Sequence, residues 1–264
     1  MDDPGSTMTI ILVLILVLVN AFFAMSEIAV ISLNDAKLRR DTVSQRADML
    51  QRMNDHFEGY GESIKFVMRE YGAGRLNTEG KIHGPLSSLI EVDKKYITAI
   101  ETALGNALQN IVTETEKDAK LAINYLKNNK GGRATFLPIS VIKGKVLSES
   151  GLDNCRGFVG IASELIRSED RYRGIVENLL GRTVVAENLD AGIEIMRRGR
   201  HAFRLVTLEG DVMHSGGSMT GGSVQSRMTS LLSREREIKE HEELLEKIDQ
   251  QIKDYEARLV RGEA

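Results

Sequence analysis

The segment SSLIEVDKKYITAIETALGNALQNIVTETEKDA, residues 87–119, returns in altered form as SELIRSEDRYRGIVENLLGRTVVAENLDA, residues 163–191. Self-similarity at a fixed spacing indicates a repeated structural unit. The sequence therefore predicts two related subdomains, at about residues 82–140 and 157–222. At a constant shift of 76 residues, the matching positions include Leu89 and Leu165, Ile90 and Ile166, Tyr96 and Tyr172, Glu101 and Glu177, Leu104 and Leu180, and Gly105 and Gly181.

Each copy alternates strand and helix signals. An apolar strand is predicted at residues 86–92 and again at 158–166, and in each copy a helix, a short strand, a second helix and a third strand follow. Alternating strands and helices predict an α/β (α+β) fold, with helices packed on short sheets. The predicted signals are an acidic helix cap at Asp93 or Glu169, a helix stop at Gly105 or Gly181, second helices from Glu116 or Leu189, and third strands at ATFLP or FRLVTL.

Composition excludes several classes of site. The chain has 264 residues, a net charge of −3 and one cysteine, Cys155, so neither an internal disulfide nor a cysteine-based zinc site is expected. Its five histidines show no metal-ligand spacing. A P-loop is also excluded, because the nearest candidate, Gly80-Lys81, lacks the first glycine and the hydroxyl residue of that motif. We expect no metal and no cofactor.

The N-terminus predicts a membrane anchor. Residues 8–25, MTIILVLILVLVNAFFAM, carry no charge and are just long enough to span a bilayer as a helix. The cations that follow, Lys37, Arg39 and Arg40, favour a single pass with the C-terminal side in the cytoplasm. Residues 1–40 are therefore expected to form an anchor helix that precedes the repeated domain.

Both flanks of the repeated domain predict coiled-coil helices. Residues 41–60 carry an amphipathic stripe, and residues 227–264 carry apolar side chains at heptad spacing among many charges. The chain is thus expected to enter and leave the domain, residues 61–226, along one antiparallel arm. The predicted seam of the outgoing helix is Leu231, Ile238, Leu245, Ile248, Ile252 and Leu259.

A glycine cluster, HSGGSMTGGS at residues 214–223, precedes the outgoing helix. Glycine is the costliest residue to order, so four glycines in ten positions need a backbone reason. A phosphate cradle, a flexible linker and a strand edge where two backbones meet are the competing interpretations. The strand edge is favoured because the flanking VTLEGDVMH resembles a strand and because residues without side chains let a second backbone approach.

These motifs, with IHGPLSSLI, ALGNALQNIV, GRATFLP, LLGRTVV and LLSREREI, closely resemble the hinge domain of SMC proteins, the ATPases of chromosome condensation and segregation. The resemblance implies a ring-shaped homodimer at the end of a long coiled coil, in the cytoplasm and on the chromosome. It places the dimer interface at the glycine motif, at Gly216, Gly217, Ser218, Thr220, Gly221 and Gly222. The family's ATP-binding head and accessory subunits belong to the full-length protein, and no ATPase head is expected in this chain.

The resemblance also implies weak, sequence-independent DNA binding, which would depend steeply on salt. Charged helix ends are commonly only solvated surface, so both interpretations stay open for each cluster. The candidates are Lys127, Lys130, Arg133, Arg171, Arg173, Arg197, Arg198 and Arg200.

Residues 20–40, NAFFAMSEIAVISLNDAKLRR, resemble the first membrane helix of the CorC/HlyC and CNNM family, which is implicated in divalent-cation transport. An alternative function is therefore a membrane-anchored fragment of such a transport protein. The further membrane helices and CBS domains of that family do not follow. The change of character near residue 40 is consistent with a natural fusion or with an artificial join of two reading frames.

Overall fold

The structure is a computed structural model that describes residues 4–148, 151–222 and 230–261. It divides into two compact units, Met1–Arg52 with Glu237–Ala264, and Met53–Arg236. The helices are α1 (Pro4–Asp55), α2 (Glu62–Gly72), α3 (Ile97–Leu104), α4 (Glu116–Asn128), α5 (Arg173–Leu180), α6 (Leu189–Arg198) and α7 (Leu231–Arg261). The strands are β1 (Ile82–Pro85), β2 (Ile90–Val92), β3 (Ile111–Thr113), β4 (Phe136–Pro138), β5 (Phe158–Ile161), β6 (Ile166–Ser168), β7 (Thr183–Ala186), β8 (Arg204–Thr207), β9 (Val212–Met213) and β10 (Met219–Thr220).

The first unit pairs α1 with α7 in antiparallel directions. Lys37 bonds Glu256 at 3.0 Å and Arg40 bonds Asp249 at 2.6 Å, so positions later in α1 meet positions earlier in α7. Apolar side chains between the helices are buried, among them Leu50. The amphipathic stripes of the two flanks therefore cover each other, as expected for a coiled coil.

The apolar N-terminal segment is not a separate element. It forms the start of α1, which runs without a break from Pro4 to Asp55. Across the parts of the chain that the structure describes, no helix is both long enough and apolar enough to cross a membrane. The predicted single-pass anchor at residues 1–40 is therefore not found.

The second unit contains the repeat. In the first copy β3 lies between β1, antiparallel to it, and β4, parallel to it; in the second copy β7 lies in the same way between β5 and β8. The register of the first strand shifts at Gly84 in one copy and at Gly160 in the other, which are again 76 residues apart. Helices α3 and α4 thus correspond to α5 and α6. The second copy adds β9 and β10, which extend its sheet to the order β10-β9-β8-β7-β5.

An antiparallel pair of strands, β2 and β6, joins the two copies. Its central partners, Glu91 and Arg167, are equivalent positions of the repeat, so a local pseudo-two-fold axis passes between them. Arg167 bonds Glu91 at 3.5 Å and Asp93 at 2.7 Å. Asp93 therefore faces the second copy and makes no side-chain cap, which corrects the predicted acidic cap at this position.

The predicted strand at 86–92 begins with a 3-10 turn, Leu86–Ser88, and only its end is a strand, β2; β1 lies before it and ends at Pro85. The predicted strand at 158–166 holds β5, a 3-10 turn at Ala162–Leu165, and the first residue of β6. An apolar run does not reveal these turns, because apolar residues lie on both sides of each turn. Helices α3 and α5 also begin four residues after Asp93 and Glu169, since a further 3-10 turn intervenes.

One contiguous apolar core spans both copies and includes Ile100, Ile111, Ile175 and Leu180. The guanidinium of Arg204, in the second copy, caps the end of α3 in the first by donating to the carbonyls of Ala103 at 2.7 Å and Thr102 at 3.3 Å. Burial lowers the pKa of Arg204. The shared core and this bond hold the two subdomains as one body.

Candidate functional site

The glycine motif lies on the outer hairpin of the second sheet. The turn between β8 and β9 is closed by Thr207, whose hydroxyl bonds the Asp211 carboxylate at 3.1 Å and accepts from its backbone N–H at 2.9 Å. The turn between β9 and β10 is closed by the backbone N–H of His214, which donates to the carbonyl of Ser218 at 2.9 Å. Strand β10 then pairs with β9 and, among the described residues, has no other neighbour in the sheet.

The register of β9 and β10 determines which backbone groups face outward. His214 and Ser218 form a hydrogen-bonded pair, Met213 and Met219 come next, and Val212 lies opposite Thr220. Hydrogen-bonded and non-bonded pairs alternate in antiparallel ladders. The N–H and carbonyl groups of Met219, and those of the following Gly221, therefore point away from β9 toward the open edge.

The four glycines serve two different purposes. Gly216, Gly217 and Gly222 have φ of 92°, 97° and 132°, and an added Cβ would meet nothing within 4 Å. These three need glycine for backbone conformation and leave the surface beside them open. At Gly221, an added Cβ would overlap the Asp211 carboxylate of the same chain. A side chain at Gly221 would thus displace the Asp211 carboxylate of its own hairpin, whether or not a partner is present.

Ser218 and Thr220, the other predicted interface residues, are exposed beside these glycines. Sequence reasoning missed Met219 between them, which is 50% exposed. An unbranched apolar side chain on an open edge strand is the signal that could have identified it.

Strand β4 forms one edge of the first sheet, whose strand order is β1-β3-β4. Ile111 donates to the carbonyl of Thr135 and Ile139 donates to that of Thr113, each at 2.9 Å. In a parallel ladder this pattern turns the backbone of Leu137 toward β3 and that of Phe136 outward. Pro138, whose backbone also faces outward, has no N–H to offer, as is common on edge strands.

All eight predicted DNA-binding cations are exposed. They come from three separate segments of the chain: the end of α4, the end of α6 and the start of α5. Arg171 and Arg173 have acidic partners, Glu169 and Glu177, at 3.4 Å each. Arg198 bonds the thiol of Cys155 at 3.4 Å.

Lys130 and Arg200 occupy equivalent turns after α4 and α6. Both have left-handed backbone conformations, with φ of 53° and 50°. The turn after α4 is closed by a hydrogen bond from the backbone N–H of Gly131 to the carbonyl of Leu126. The equivalent backbone hydrogen bond closes the turn after α6. Glycine usually occupies such positions.

A groove of about 910 Å³ lies between α2 and the end of α4. Its lining includes Phe57 and Phe66, together with the cations Lys65, Arg69 and Lys130. The guanidinium of Arg69 lies 5.7 Å from the centre of the Phe66 ring. Sequence analysis identified neither α2 nor this combination of aromatic rings and positive charge.

Helix α2 is held in place beside this groove by Glu70. Its carboxylate accepts from Arg75 through two bonds of 2.7 Å and from the hydroxyl of Tyr125 at 2.9 Å. These bonds, led by the one from Arg75, lower the pKa of Glu70 to about 2. The carboxylate therefore stays charged at any physiological pH.

The predicted seam residues of α7 are all buried or half-buried. Leu231 packs into the core of the domain, and Ile238, Ile248 and Ile252 are buried within the first unit. Leu245 and Leu259 are half-buried. The predicted start at Arg227 lies outside the described residues, and α7 begins at Leu231.

The geometry is that of a two-subdomain α/β module with coiled-coil flanks, in which β4 and β10 each lie at the edge of a sheet. Residues 78–196 match the family model described as the SMC proteins flexible hinge domain. A solved structure, an asymmetric dimer of the Geobacillus stearothermophilus SMC hinge domain, is 38% identical with a TM-score of 0.85, and the match covers 92% of this chain and 97% of that one. The chain belongs to the SMC hinge domain family.

Two curated relatives are chromosome partition proteins named Smc. That of Clostridium kluyveri is 39% identical over 76% of this chain, and that of Bacillus subtilis is 42% identical over 74%. This chain spans only 17% and 16% of their respective lengths. These relatives lend no support to the resemblance of residues 20–40 to the CorC and CNNM membrane proteins.

Proposed function

We propose that this chain is a dimerisation module that joins two copies through the open edge of β10. The observation that carries the proposal is the outward direction of the Met219 and Gly221 backbone groups beside glycines that leave space for a second strand. Unpaired strand edges are templates for strand addition, in which main-chain hydrogen bonds supply the binding energy. The Geobacillus hinge, which is described as an asymmetric dimer, supports the association of two copies.

The complementary surface is the edge of β4 in a second copy. Phe136 presents an N–H and a carbonyl there, and within the described ranges β4 pairs with β3 alone. Each copy carries one β4 edge and one β10 edge. In a two-fold dimer, the β4 edge of each copy would therefore pair with the β10 edge of the other. Closed two-fold assemblies use the same surfaces on both subunits.

The test removes one backbone N–H group that points toward the open edge of β10. Met219→Pro removes the donor that faces the second copy, whereas Met219→Leu keeps both the donor and an apolar side chain. Sedimentation equilibrium of the full chain should show a dimer for the native protein and for Met219→Leu, and a much weaker one for Met219→Pro. A native protein that stays monomeric at all concentrations, or a Met219→Pro dimer of native strength, would contradict the proposal.

We further propose that the module belongs to a chromosome partition protein and is chromosome-associated in the cytoplasm. The family and the two Smc relatives support this role. In that setting the dimer would link two long coiled-coil arms, and ATP binding and accessory subunits would belong to other parts of the protein. No catalytic role is proposed for the hinge.

Single-stranded DNA is a second candidate partner, favoured by the groove beside α2. The ring of Phe66 can stack on a base, and Lys65, Arg69 and Lys130 supply positive charge around it. Such a site binds many sequences because every base has an aromatic face. Lys65 and Arg69 have acidic partners, Glu62 at 2.9 Å and Glu70 at 3.5 Å, as Arg171 and Arg173 do. The groove is therefore distinguished by its Phe66 ring and not by unpaired charge.

Salt dependence tests this second function. Lys130→Gly removes one cation at a turn position whose left-handed backbone favours glycine, so we expect the fold to be preserved. It should lower the affinity for a single-stranded oligonucleotide and reduce the slope of log affinity against log salt by about 0.7. Arg171→Gln, a matched loss of charge elsewhere, should leave the slope unchanged. Binding that does not respond to salt would rule out this mode of DNA contact.

A further inference from the structure

The outgoing helix α7 begins with a cap that the repeated domain supplies. The carboxylate of Glu101, in α3, accepts from the hydroxyl of Ser230 at 2.6 Å and from the backbone N–H of Leu232 at 3.1 Å. The Ser230 hydroxyl in turn accepts from the backbone N–H of Ser233 at 3.0 Å. The first N–H groups of a helix have no partner within it, and a negative charge beside them is favourable. Glu101 and Ser230 therefore satisfy two of these groups.

The first turn of α7 is also packed into the domain. Leu231 and Leu232 are 8% and 3% exposed, and both belong to the apolar core that spans the two copies. Burial of apolar side chains is favourable but has no preferred direction, so it holds the turn close to the core without fixing where the helix begins. The directional hydrogen bonds of Glu101 and Ser230 fix that point.

The repeat contains a second example of the same attachment. Glu177 of α5 is equivalent to Glu101 of α3, and the segment that leaves the first copy passes beside it. A Cβ added at Gly144 of that segment would overlap the Glu177 side chain, and Asn178 donates to the carbonyl of Lys143 at 3.1 Å. The chain that leaves each copy therefore packs on the first helix of the other copy.

The end of the incoming helix α1 is held by α7. The Arg234 side chain, in a residue that is 3% exposed, donates to the carbonyl of Glu58 at 2.7 Å. The neighbouring Glu235 accepts a hydrogen bond from the side chain of Asn54, in the last turn of α1. Tyr60 is buried in the core of the domain. The turn after α1 is thus held at Tyr60 by the domain and at Glu58 by α7.

We propose that Glu101, Ser230 and Arg234 form a neck clamp with a fixed order: Glu101 holds the first turn of α7 on α3, and α7 then holds the end of α1 through Arg234. Arg234 directly follows the capped residues, so its side chain loses its position when the first turn of α7 opens. Opening of the end of α1 leaves the cap intact, because no residue of the cap belongs to α1. Glu101 is thus the contact on which the attachment of both flanking helices depends. The three residues lie in the second compact unit, and the neck clamp does not depend on how two copies pair.

Amide hydrogen exchange of the full chain, at one protein concentration, tests this order. An N–H group exchanges when its segment opens locally. Loss of a hydrogen bond to a charged group makes such opening on the order of tenfold more frequent. In Glu101→Ala, the N–H groups of Ser233 and Glu58 should therefore both exchange about tenfold faster. In Arg234→Met, which keeps an unbranched side chain, Glu58 should exchange faster and Ser233 should keep its native rate.

Glu177→Ala is the matched control, because it removes the equivalent carboxylate from α5. In this variant Ser233 and Glu58 should both exchange at native rates. The N–H groups of Val112 and Val185, which are buried in β3 and β7, report on the fold as a whole. Their exchange should stay native in every variant, so that faster exchange at the neck clamp cannot come from global unfolding.

If Glu101→Ala does not meet that condition, Glu101→Gln replaces it. This variant keeps an oxygen acceptor but loses the charge, so the same two N–H groups should exchange faster by a smaller factor. Native exchange at Ser233 in the Glu101 variants would overturn the inference, and so would faster exchange there without a change at Glu58. Faster exchange at both positions in Arg234→Met would overturn the proposed order.

Discussion

Gly221→Ala tests whether this glycine serves the hairpin of its own chain. The added Cβ would overlap the Asp211 carboxylate, which also bonds Thr207. Gly221 is exposed and the overlapping atom is the end of the Asp211 side chain, so the carboxylate can shift at the cost of its hydrogen bond to Thr207. Losing one such bond should lower the free energy of unfolding by about 1 kcal/mol. For a unit of this size, that corresponds to a decrease of about 2–4 °C in Tm.

The overlap predicts coupling between the two positions. Asp211→Ala alone should cost about 1 kcal/mol, for its hydrogen bond to Thr207, and Gly221→Ala should then cost much less in that background. Gly216→Ala is the matched control, because its cost of about 1 kcal/mol comes from positive φ, and it should add to that of Asp211→Ala within about 0.5 kcal/mol.

Unfolding is followed by circular dichroism at one low protein concentration, since self-association would stabilise the native state. A Gly221→Ala protein of native stability, or equal costs with and without Asp211, would refute the steric argument.

Three further changes test the structure around the site. Arg204→Met should lower the free energy of unfolding by about 2 kcal/mol in a urea titration, because it leaves the Ala103 carbonyl without its charged donor; an unchanged midpoint would contradict this. For Glu70, whose pKa falls to about 2 beside Arg75, the stabilising contribution is present above about pH 4.5 and is lost as pH falls through about 2. Thermal melts of Glu70→Gln and native protein should therefore differ at pH 7 and converge toward pH 2. Lys130→Gly should raise Tm by about 2–4 °C, because glycine removes the cost of positive φ, and a lower Tm would count against it.

The repeat and its consequences could be predicted from the chain alone. Tyr96 and Tyr172, and Gly105 and Gly181, keep one spacing because they occupy equivalent places in two similar units, directly before and directly after α3 and α5. Helix periodicity likewise predicted the coiled-coil flanks. The prediction failed where the role of a residue depends on a contact with the other subdomain of the same chain. Asp93 looks like a helix cap, but its carboxylate faces Arg167, which is 74 residues away.

The candidate site was only partly predictable, for a similar reason. The clustered glycines indicated an unusual backbone, and the resemblance implied that a partner meets it. Neither could show that Gly221 is packed against Asp211 whereas Gly217 is open. The groove beside Phe66 was missed because its lining comes from α2 and from the turn after α4, about 60 residues further along the chain.

The sequence by itself determined the α/β repeat, the family and the place of the glycine motif, because spacing along the chain records which faces are buried and where the backbone must bend. Only the tertiary structure decided that β10 and β4 are edges and that Met219 directs its backbone outward. Whether a strand is central or at an edge depends on which strands lie beside it in space. That neighbourhood is set by packing between distant segments, and no local pattern encodes it.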